Sequence, residues 1–278
     1  NVRLMSRTTV TGAYDQGTFG ALERLGHHQS RKGHAPIECF WRIVAKRSIL
    51  CAGALERPIA FPNNDRPGIM SAAAVRGYAN RFGVVGGAEV AVFGNNNDAH
   101  RTARDLIAAG VKVTAVIDSR DDADVQVDAP VFSGGQVVQT SGRLGLTGLT
   151  VAQGGRTHKI KASILAISGG WNPGVHMTCH MNGRPVWNEA IQSFLPRDGA
   201  IPDMTVAGAA NGAFSTAACL AEGAERGAAA ASALGRKPAK VTLPDAEDTS
   251  YRMQALWSVE GRGRKWLDFQ NDVHIKDI

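Results

Sequence analysis

The segment EVAVFGNNNDAHRTARDLIAAGVKVTAVID, residues 89–118, constrains the fold of this chain more than any other. An apolar run is followed by a polar turn that begins with glycine, then by apolar residues at helical spacing, then by a second apolar run. This order predicts a strand, a turn, a helix and a second strand, which together form a βαβ unit of the dinucleotide-binding type. The segment therefore indicates an α/β fold with parallel strands.

The glycine fingerprint of such a unit is altered in this chain. Its three glycine positions, which serve the tight turn, the approach of the pyrophosphate and the packing of helix on strand, hold Gly94, Asn96 and Ala99. The Asn96 side chain would project toward the phosphate oxygens, and Asp98 adds negative charge at the helix start. Asp118 stands near the place of an acid that binds a ribose hydroxyl. The unit is either a weakened nucleotide site built on Gly94, Asn96 and Asp118 or a structural βαβ unit, and the steric and charge defects favour the second interpretation.

A second strand, glycine-rich turn and helix are predicted in residues 203–235, where an Ala-rich helix of about 20 residues ends at Gly235. Strands predicted at 8–14 and within 39–52 have no glycine-rich turn and helix before them, although a doubly wound sheet normally begins with such a unit. The first domain is therefore predicted to lack its opening βαβ unit. A helix at 68–83, ended by Gly83, and strands near 135–151 and 159–167 complete the predicted elements.

Composition argues against several classes of function. The net charge of +6 is spread out, without the basic stripe of a nucleic-acid-binding surface. No apolar run approaches the roughly 20 residues that a membrane helix needs. The four cysteines lie far apart and form no C-x-x-C pair, which argues against a zinc site or a disulfide framework and favours a cytoplasmic location.

Several polar groups have two interpretations. His176 and His180 are four residues apart, but they follow a Pro-Gly pair in a predicted loop and have no further ligand nearby, so metal binding is not expected. The polar loop with His27, His28 and His34 is expected to be exposed. The charged segments 56–58 and 65–67 are either salt-bridged linkers or contacts to a flavin or a partner subunit.

Four segments carry a family resemblance: ILCAGALERPIAFPNNDRPGIMSA, VAVFGNNNDAHRTA, SGGWNPGVHMTCH and VAGAANGAFSTAA. Together they resemble the alpha subunit of heterotetrameric sarcosine oxidase over nearly the whole chain. The terminal WLDFQNDVHIKDI resembles the segment that leads into a folate-binding domain in that family. Related amino-acid dehydrogenase subunits, of the D-hydroxyproline, octopine and nopaline types, share the central motifs.

The resemblance implies two nested Rossmann-like domains of the disulfide-reductase type. A partial first dinucleotide-binding domain is expected at 1–85, a degenerate second domain at 86–198, a return to the first domain at 199–240, and an extension toward a folate-binding domain at 241–278. NAD is expected in the first domain, where it also needs an upstream unit, so these residues alone are expected to retain it weakly or not at all. FAD and FMN are expected on a partner subunit, and beta, gamma and delta subunits are the expected partners.

The same resemblance assigns the cofactor-binding residues. One group lies where the chain crosses from the first domain to the second, and another forms the turn that ends in Gly-Asp in flavin enzymes of this fold. Asn211 replaces that acid, which removes a charge-assisted hydrogen bond to a flavin and is compatible with NAD. The assigned residues are Ala52, Gly53, Ala54, Gly208, Ala209, Asn211, Gly212 and, in the first strand, Thr11.

Two classes of function follow. The chain is either the NAD-binding part of an enzyme complex that demethylates sarcosine oxidatively, or a docking module for flavin subunits that binds no nucleotide. No catalytic residue is assigned within the chain, because neither a Ser–His–Asp order nor a paired-carboxylate spacing is present. A free-standing NAD(P)H reductase would also need a dithiol or a complete flavin site, and the sequence has neither.

Overall fold

A computed structural model describes residues 2–26, 33, 36–246 and 248–278. His27, His28 and His34 lie outside these residues. The helices are α1 Ala72–Phe82, α2 Asn97–Ala108, α3 His176–His180 and α4 Thr216–Ala233. The strands are β1 Thr8–Tyr14, β2 Thr18–Arg24, β3 Glu38–Val44, β4 Ser48–Leu50, β5 Ala54–Glu56, β6 Ile69–Ser71, β7 Glu89–Gly94, β8 Lys112–Asp118, β9 Val131–Ser133, β10 Gln136–Ser141, β11 Gly148–Gln153, β12 Arg156–Lys161, β13 Ile164–Ser168, β14 Trp171–Pro173, β15 Val186–Asn188, β16 Ser193–Leu195, β17 Met204–Val206, β18 Trp266–Asp268 and β19 Val273–His274.

The chain divides into two compact units. Unit 1 comprises Asn1–Ala54, Pro173–Asn188 and Ser193–Thr249, and unit 2 comprises Leu55–Asn172, Glu189–Gln192 and Ser250–Ile278. These boundaries differ from the predicted ones, because residues 55–85 pack with the central sheet of unit 2 instead of with the first strands. The C-terminal residues from Ser250 onward also belong to unit 2 and do not form a separate extension.

Unit 2 is built on a five-stranded parallel sheet with the order β6-β13-β7-β8-β9. Strands β7 and β13 are buried almost throughout, since both faces of the sheet are covered. Helices α1 and α2 pack on one face around Val92, Leu106 and Ala166. The opposite face packs around Phe93, Ile117 and Leu165, in a second core cluster. The strand–helix–strand order predicted for residues 89–118 is confirmed.

Both helices of unit 2 have defined ends. Ser71 caps α1 by accepting a hydrogen bond from the backbone N–H of Ala74 at 3.3 Å, and Gly83 ends the helix in the left-handed conformation. The predicted stop at Gly83 is therefore confirmed. The predicted start is early, because residues 69–71 form the edge strand β6 before the helix begins.

One prediction in unit 2 is wrong, and it concerns strand β12 of the antiparallel sheet β10-β11-β12. Residues 159–167 were expected to form one strand, but they are divided between β12 and β13. The alternating segment of β12 has one face exposed, as suits an antiparallel sheet, whereas the apolar segment of β13 is fully buried in the parallel sheet. Ala162 and Ser163 separate the two strands, and the N–H of Ser163 donates to the carbonyl of Glu89 at 2.8 Å.

Unit 1 contains the antiparallel sheet β1-β2-β3, the hairpin β15-β16 and the parallel pair β4-β17. The pair is followed by a 3-10 turn, Gly208–Asn211, and by α4, so the predicted strand, turn and helix are confirmed. None of the residues of α4 is buried. Within the described part of unit 1, no strand–turn–helix unit precedes β4. The predicted loop at 176–180 is wrong, since these residues form the short helix α3.

None of the helices in the described part of the chain combines the length and the apolar character of a membrane span.

Candidate functional site

Two places in this fold are candidates for ligand binding, because ligands of parallel α/β sheets bind beyond the carboxyl ends of the strands. In unit 2 this place follows β7 and β13, between which the strand order reverses. In unit 1 it follows β4 and β17, the only parallel pair among the described residues of that unit.

The Asn96 side chain fills the switch point of unit 2. It is fully buried, and its Oδ1 accepts a hydrogen bond from the N–H of Asp98 at 3.0 Å, as an N-cap of α2. Its Nδ2 donates to the carbonyl and to the Oγ of Ser168, at 3.0 and 3.1 Å. The amide thus joins the end of β13 to the start of α2, in the position where a phosphate would approach.

Gly94 has a packing role in the same turn. A Cβ at this position would lie 2.4 Å from the Cβ of Ala99 and 3.1 Å from the carbonyl oxygen of Ser168. Both contacts are too short for any larger residue. Gly94 and Ala99 therefore allow helix α2 to approach the sheet closely, which is the packing function of the fingerprint.

Asp118, the candidate ribose ligand, is completely buried and engaged by neighbouring groups. Its Oδ1 accepts from the N–H and the Nε of Arg120 at 2.9 and 3.0 Å. Its Oδ2 accepts from Nη2 of Arg120 at 2.7 Å and lies 2.5 Å from Nε2 of His100. Burial alone would raise the pKa of Asp118, but the hydrogen bonds of His100 and Arg120 outweigh it and hold the pKa below its usual range. No oxygen of this carboxylate is left for a ribose hydroxyl.

A strap of residues 250–254 covers the same edge of the sheet. The carbonyl of Arg252 accepts hydrogen bonds from the N–H of Asn97 at 3.1 Å and from Nη1 of Arg120 at 2.9 Å. The N–H of Gln254 donates to the carbonyl of Asn95 at 3.0 Å. The N–H of Asn97, at the start of α2, is therefore bonded to the chain's own backbone and not to a ligand. A cavity of about 320 Å³ remains beside the strap.

Charged groups near this edge also have internal partners. Asp98, the anion expected to repel a phosphate, forms an ion pair with Arg76 at 3.0 Å. Arg57 donates to the carbonyl of Gly169 at 3.1 Å and lies over the ring of Trp257 at 4.2 Å. Arg66 donates to the Oγ1 of Thr140 at 3.3 Å. These contacts fit the interpretation of segments 56–58 and 65–67 as internally bonded linkers.

Glu56 is a residue of unit 2 whose pKa the fold raises into the neutral range. Its Oε2 accepts a hydrogen bond from the N–H of Ala73 at 2.7 Å, in the first turn of α1. Burial nevertheless raises its pKa from 4.5 to about 7, because a carboxylate loses more hydration than this hydrogen bond returns. Burial likewise raises the pKa of Tyr251 in the strap. Neither shift could be expected from the sequence, since both depend on groups distant along the chain.

The corresponding edge of unit 1 is more open. Val206 pairs with Leu50, and the N–H of Ala207 donates to the carbonyl of Leu50 at 3.0 Å, so residues 51–54 and 208–212 follow neighbouring strands. Gly53 and Gly208 both have positive φ, 74° and 73°. A Cβ at Gly53 would meet nothing within 4 Å, and one at Gly208 only the Sγ of Cys219 at 3.6 Å. The structure thus brings together two of the segments that the family resemblance assigns to the cofactor.

Glu222 is the functional candidate of unit 1 that the sequence did not indicate. Its Oε2 accepts from the N–H of Gly208 at 2.7 Å, and its Oε1 accepts from Nδ2 of Asn211. A carboxylate from α4 therefore holds the turn in which flavin enzymes of this fold carry an acid. Helix α4 carries two glutamates, Glu222 and Glu225, and the sequence does not distinguish them, because the partner of Glu222 lies 14 residues away.

The remaining candidates have other contacts. The hydroxyl of Thr11 donates to the carbonyl of Gly20 in the antiparallel sheet, and no hydrogen bond in the described part of the chain joins it to the turn at 208–212. His176 and His180 lie on α3, and among the described residues no group of three His, Cys, Asp or Glu side chains is arranged to hold a metal ion. All four cysteines are free.

The Asp118–Arg120 pair provides a test of how unit 2 is stabilised. Asp118→Asn leaves the guanidinium of Arg120, whose side chain is only 2% exposed, without a carboxylate. We expect the free energy of unfolding to fall by about 3–5 kcal/mol, as in other broken buried pairs. Chemical denaturation followed by circular dichroism measures the change. Asp122→Asn is the matched control, because Asp122 pairs with Arg252 at the exposed surface and should contribute no more than about 1 kcal/mol. Equal losses in both variants would contradict a special role of the buried pair.

Glu56 provides a test by pH. Its folded-state pKa is raised, so the folded chain binds the proton more tightly than the unfolded chain does. The resulting stabilisation is complete below about pH 4.5 and is lost as the pH rises through about 7. Glu56→Gln removes this dependence while keeping an acceptor for the N–H of Ala73. We expect the variant to be more stable than the native chain at pH 8, by about 1–3 kcal/mol, and equal to it near pH 4.5.

Urea titrations at the two pH values measure the effect of Glu56→Gln. Glu225→Gln, at an exposed position of α4, is the control and should leave the pH dependence unchanged. A native chain whose stability shows the same pH profile as the Glu56 variant would argue against the buried, protonated carboxyl.

Solved structures with a similar fold confirm the predicted fold class of two nested Rossmann-like domains. L-proline dehydrogenase from P. horikoshii superposes with a TM-score of 0.61 at 21% identity, over 84% of this chain and 42% of that chain. Thioredoxin reductase from T. acidophilum superposes with a TM-score of 0.53 at 15% identity, over 76% of this chain and 68% of that chain. At these identities the likeness concerns the fold alone.

Curated sequences give closer relatives, although no family model matches the chain. Sarcosine oxidase subunit alpha of Rhizobium meliloti (strain 1021) is 41% identical over 100% of this chain and 29% of its own length. The subunit of the same name from Corynebacterium sp. (strain P-1) is 39% identical over 99% of this chain and 31% of its own length. The chain therefore spans about 30% of these relatives. Over that span it belongs to the family of sarcosine oxidase alpha subunits.

Proposed function

We propose that unit 1 binds the NAD of a sarcosine oxidase alpha subunit, at the carboxyl ends of β4 and β17. The contrast between the two sheet edges carries this proposal. In unit 2 the carboxylate and the helix start that a nucleotide would use are bonded internally. In unit 1, Gly53 and Gly208 lie on neighbouring strand ends with open space beside their Cα atoms.

The groups at this edge fit a dinucleotide. Glycine at 53 and 208 lets a ligand approach the backbone closely, and the first turn of α4, after its cap at Ser215, offers N–H groups to a phosphate. Asn211 and Glu222 are polar groups suited to a ribose hydroxyl, with Glu222 as the acceptor. When bound, NAD would supply either a hydride-transfer group or a structural ligand, and this chain's residues bind and orient it.

The names of the relatives support a proposal for the chemistry of the whole complex. We propose an oxidoreductase that converts sarcosine to glycine and passes the one-carbon unit to tetrahydrofolate, with FAD and FMN held on a partner subunit. Beta, gamma and delta subunits are the proposed partners. We place the complex in the cytoplasm, because the chain's four free cysteines suit a reducing compartment.

A second candidate function has its own support. Glu222 already accepts the hydrogen bond of the Gly208 N–H, a donor that a phosphate would otherwise use. This contact favours a docking module for flavin subunits, without bound nucleotide, in a related amino-acid dehydrogenase. The nucleotide content of the assembled enzyme separates the two candidates.

Nucleotide release is the direct experiment. We expect the purified assembly that contains the full-length alpha subunit to release NAD in a ratio near one per alpha subunit when it is denatured, as measured by mass spectrometry. Gly208→Ala should lower the retained NAD several-fold, because its Cβ occupies the face that the nucleotide approaches. A native assembly without any nucleotide would refute NAD binding and favour the docking module.

Gly235→Ala is the matched control for Gly208→Ala. Gly235 has a similar φ of 70°, so alanine causes comparable backbone strain, on the order of 1 kcal/mol. Gly235 lies beyond the far end of the 18-residue helix α4, roughly 27 Å from its start. Equal NAD loss in the two variants would show that strain, and not site geometry, explains the result.

The contact between Asn211 and Glu222 explains why position 211 holds an amide and not an acid. Asn211→Asp would place a second carboxylate against Glu222, and we expect it to destabilise the protein by about 1.5–3 kcal/mol near neutral pH. Glu222→Gln in the same chain should restore most of this loss, because the amide can donate to the new carboxylate. A double-mutant cycle by thermal or chemical denaturation measures the coupling. Asn182→Asp, an exposed Asn of unit 1, is the control; an additive cycle at 211 and 222 would contradict the contact.

A further inference from the structure

A cationic cleft in unit 2 lies between the loop 260–265 and the residues 274–276. Its volume is about 900 Å³, within the range of small-molecule pockets. Four cationic side chains and one carboxylate line it. They are Arg262, Arg264, Lys265, Lys276 and Glu260. The chain's modest net charge hides this local excess, because the sequence spaces the cations among glycines and apolar residues.

Lys265, in the lining of the cleft, lacks a strong acceptor. The side chain of Lys265 is only 14% exposed, yet its ion-pair partner Glu260 lies 3.4 Å away and is 96% exposed. The contact between the two groups is exposed, so the hydrated carboxylate adds little to the stability of the ammonium. The indole Nε1 of Trp266, next to Lys265 in the chain, is buried and has no hydrogen-bond partner in the described structure. Lys265 therefore keeps donor capacity for an anionic ligand, and the adjacent Trp266 is placed to report on its environment.

The cationic loop is held rigidly against unit 2. The N–H of Asn63 donates to the carbonyl of Arg264 at 2.7 Å. The Asn64 side chain accepts from the N–H of Trp266 at 2.8 Å and donates to its carbonyl at 2.9 Å. Gly261 and Gly263 allow this approach, since a Cβ on either would lie 2.6–2.8 Å from residues 62 and 63. The backbone that carries these cations is thus fixed before any ligand arrives, which lowers the entropic cost of binding.

We propose that this cleft binds the phosphate group of a phosphorylated small molecule. Lys265 supplies the charge of the least exposed side chain, Arg262 and Lys276 supply charge at the rim, and Glu260 stays in solvent. A compact dianion fits these converging donors, because charge-assisted bonds to phosphate are short and several can act at once. The site is independent of the nucleotide site proposed in unit 1, so failure of either leaves the other untouched.

Fluorine NMR on tryptophan provides the experiment. In the native assembly labelled with 5-fluorotryptophan, the resonance that disappears in Trp266→Phe is assigned to Trp266, one of the five tryptophans in these 278 residues. We expect inorganic phosphate to shift that resonance saturably at constant ionic strength. We also expect Lys265→Met, which keeps the apolar stem, to weaken phosphate binding about tenfold or more. Lys159→Met, at an exposed position of β12, is the matched control and should change the affinity less than about twofold.

The source of the phosphate is tested with adenosine monophosphate in parallel. Tighter binding of the monophosphate than of inorganic phosphate would support a nucleotide-like ligand, and equal binding would support recognition of the phosphate alone. A shift that sodium chloride reproduces, or one that never saturates, would overturn the proposal. Binding of an acidic peptide without any binding of phosphate would also overturn it and assign the cleft to an acidic protein surface.

Discussion

The buried ion pair of Asp118 and Arg120 is the interaction on which unit 2 depends. Both oxygens of Asp118 are fully engaged, and Arg120 also donates to Asn97 and to the carbonyl of Arg252. Removing two charges from water is costly, and only a complete set of hydrogen bonds offsets that cost. One arginine therefore fixes the end of β8, the start of α2 and the strap at 250–254 in a single arrangement.

This arrangement stabilises the fold with the groups that a nucleotide would need. In a binding Rossmann unit, the acid after the second strand and the N–H groups of the first helix meet the ligand. Here Asp118 meets Arg120, and the N–H of Asn97 meets the strap. Asn96 completes the closure by bonding Ser168. The polar groups at this edge satisfy one another, so the strand–turn–helix arrangement is stable with only the first glycine of the motif, Gly94.

Local chemistry made much of the fold predictable from the sequence. Gly83 and Gly235 end helices, Gly94 begins one turn, and the apolar run of residues 164–168 forms a buried parallel strand. The site was less predictable, because its decisive contacts join residues far apart. Arg120 meets a carbonyl 132 residues away, and Glu222 reaches back 14 residues to Gly208. Capping residues and hydrophobic periodicity indicate only the local structure of a helix or a strand. They therefore cannot predict hydrogen bonds between residues that are far apart in the sequence.

The C-terminal residues show how such contacts change the meaning of a segment. Their polar composition suggested an extension toward another domain. In the structure, Val259 is buried in the core of unit 2, and the Asn64 side chain bonds both the N–H and the carbonyl of Trp266. The segment that begins at Ser250 first covers the carboxyl edge of the parallel sheet with its backbone. After Val259 it forms the fixed loop that carries the cations of residues 262–265. Val259 lies between the strap and the loop and anchors this part of the chain in the core of unit 2. A change that loosens this anchor should therefore affect the stability of the edge and the geometry of the cationic cleft together.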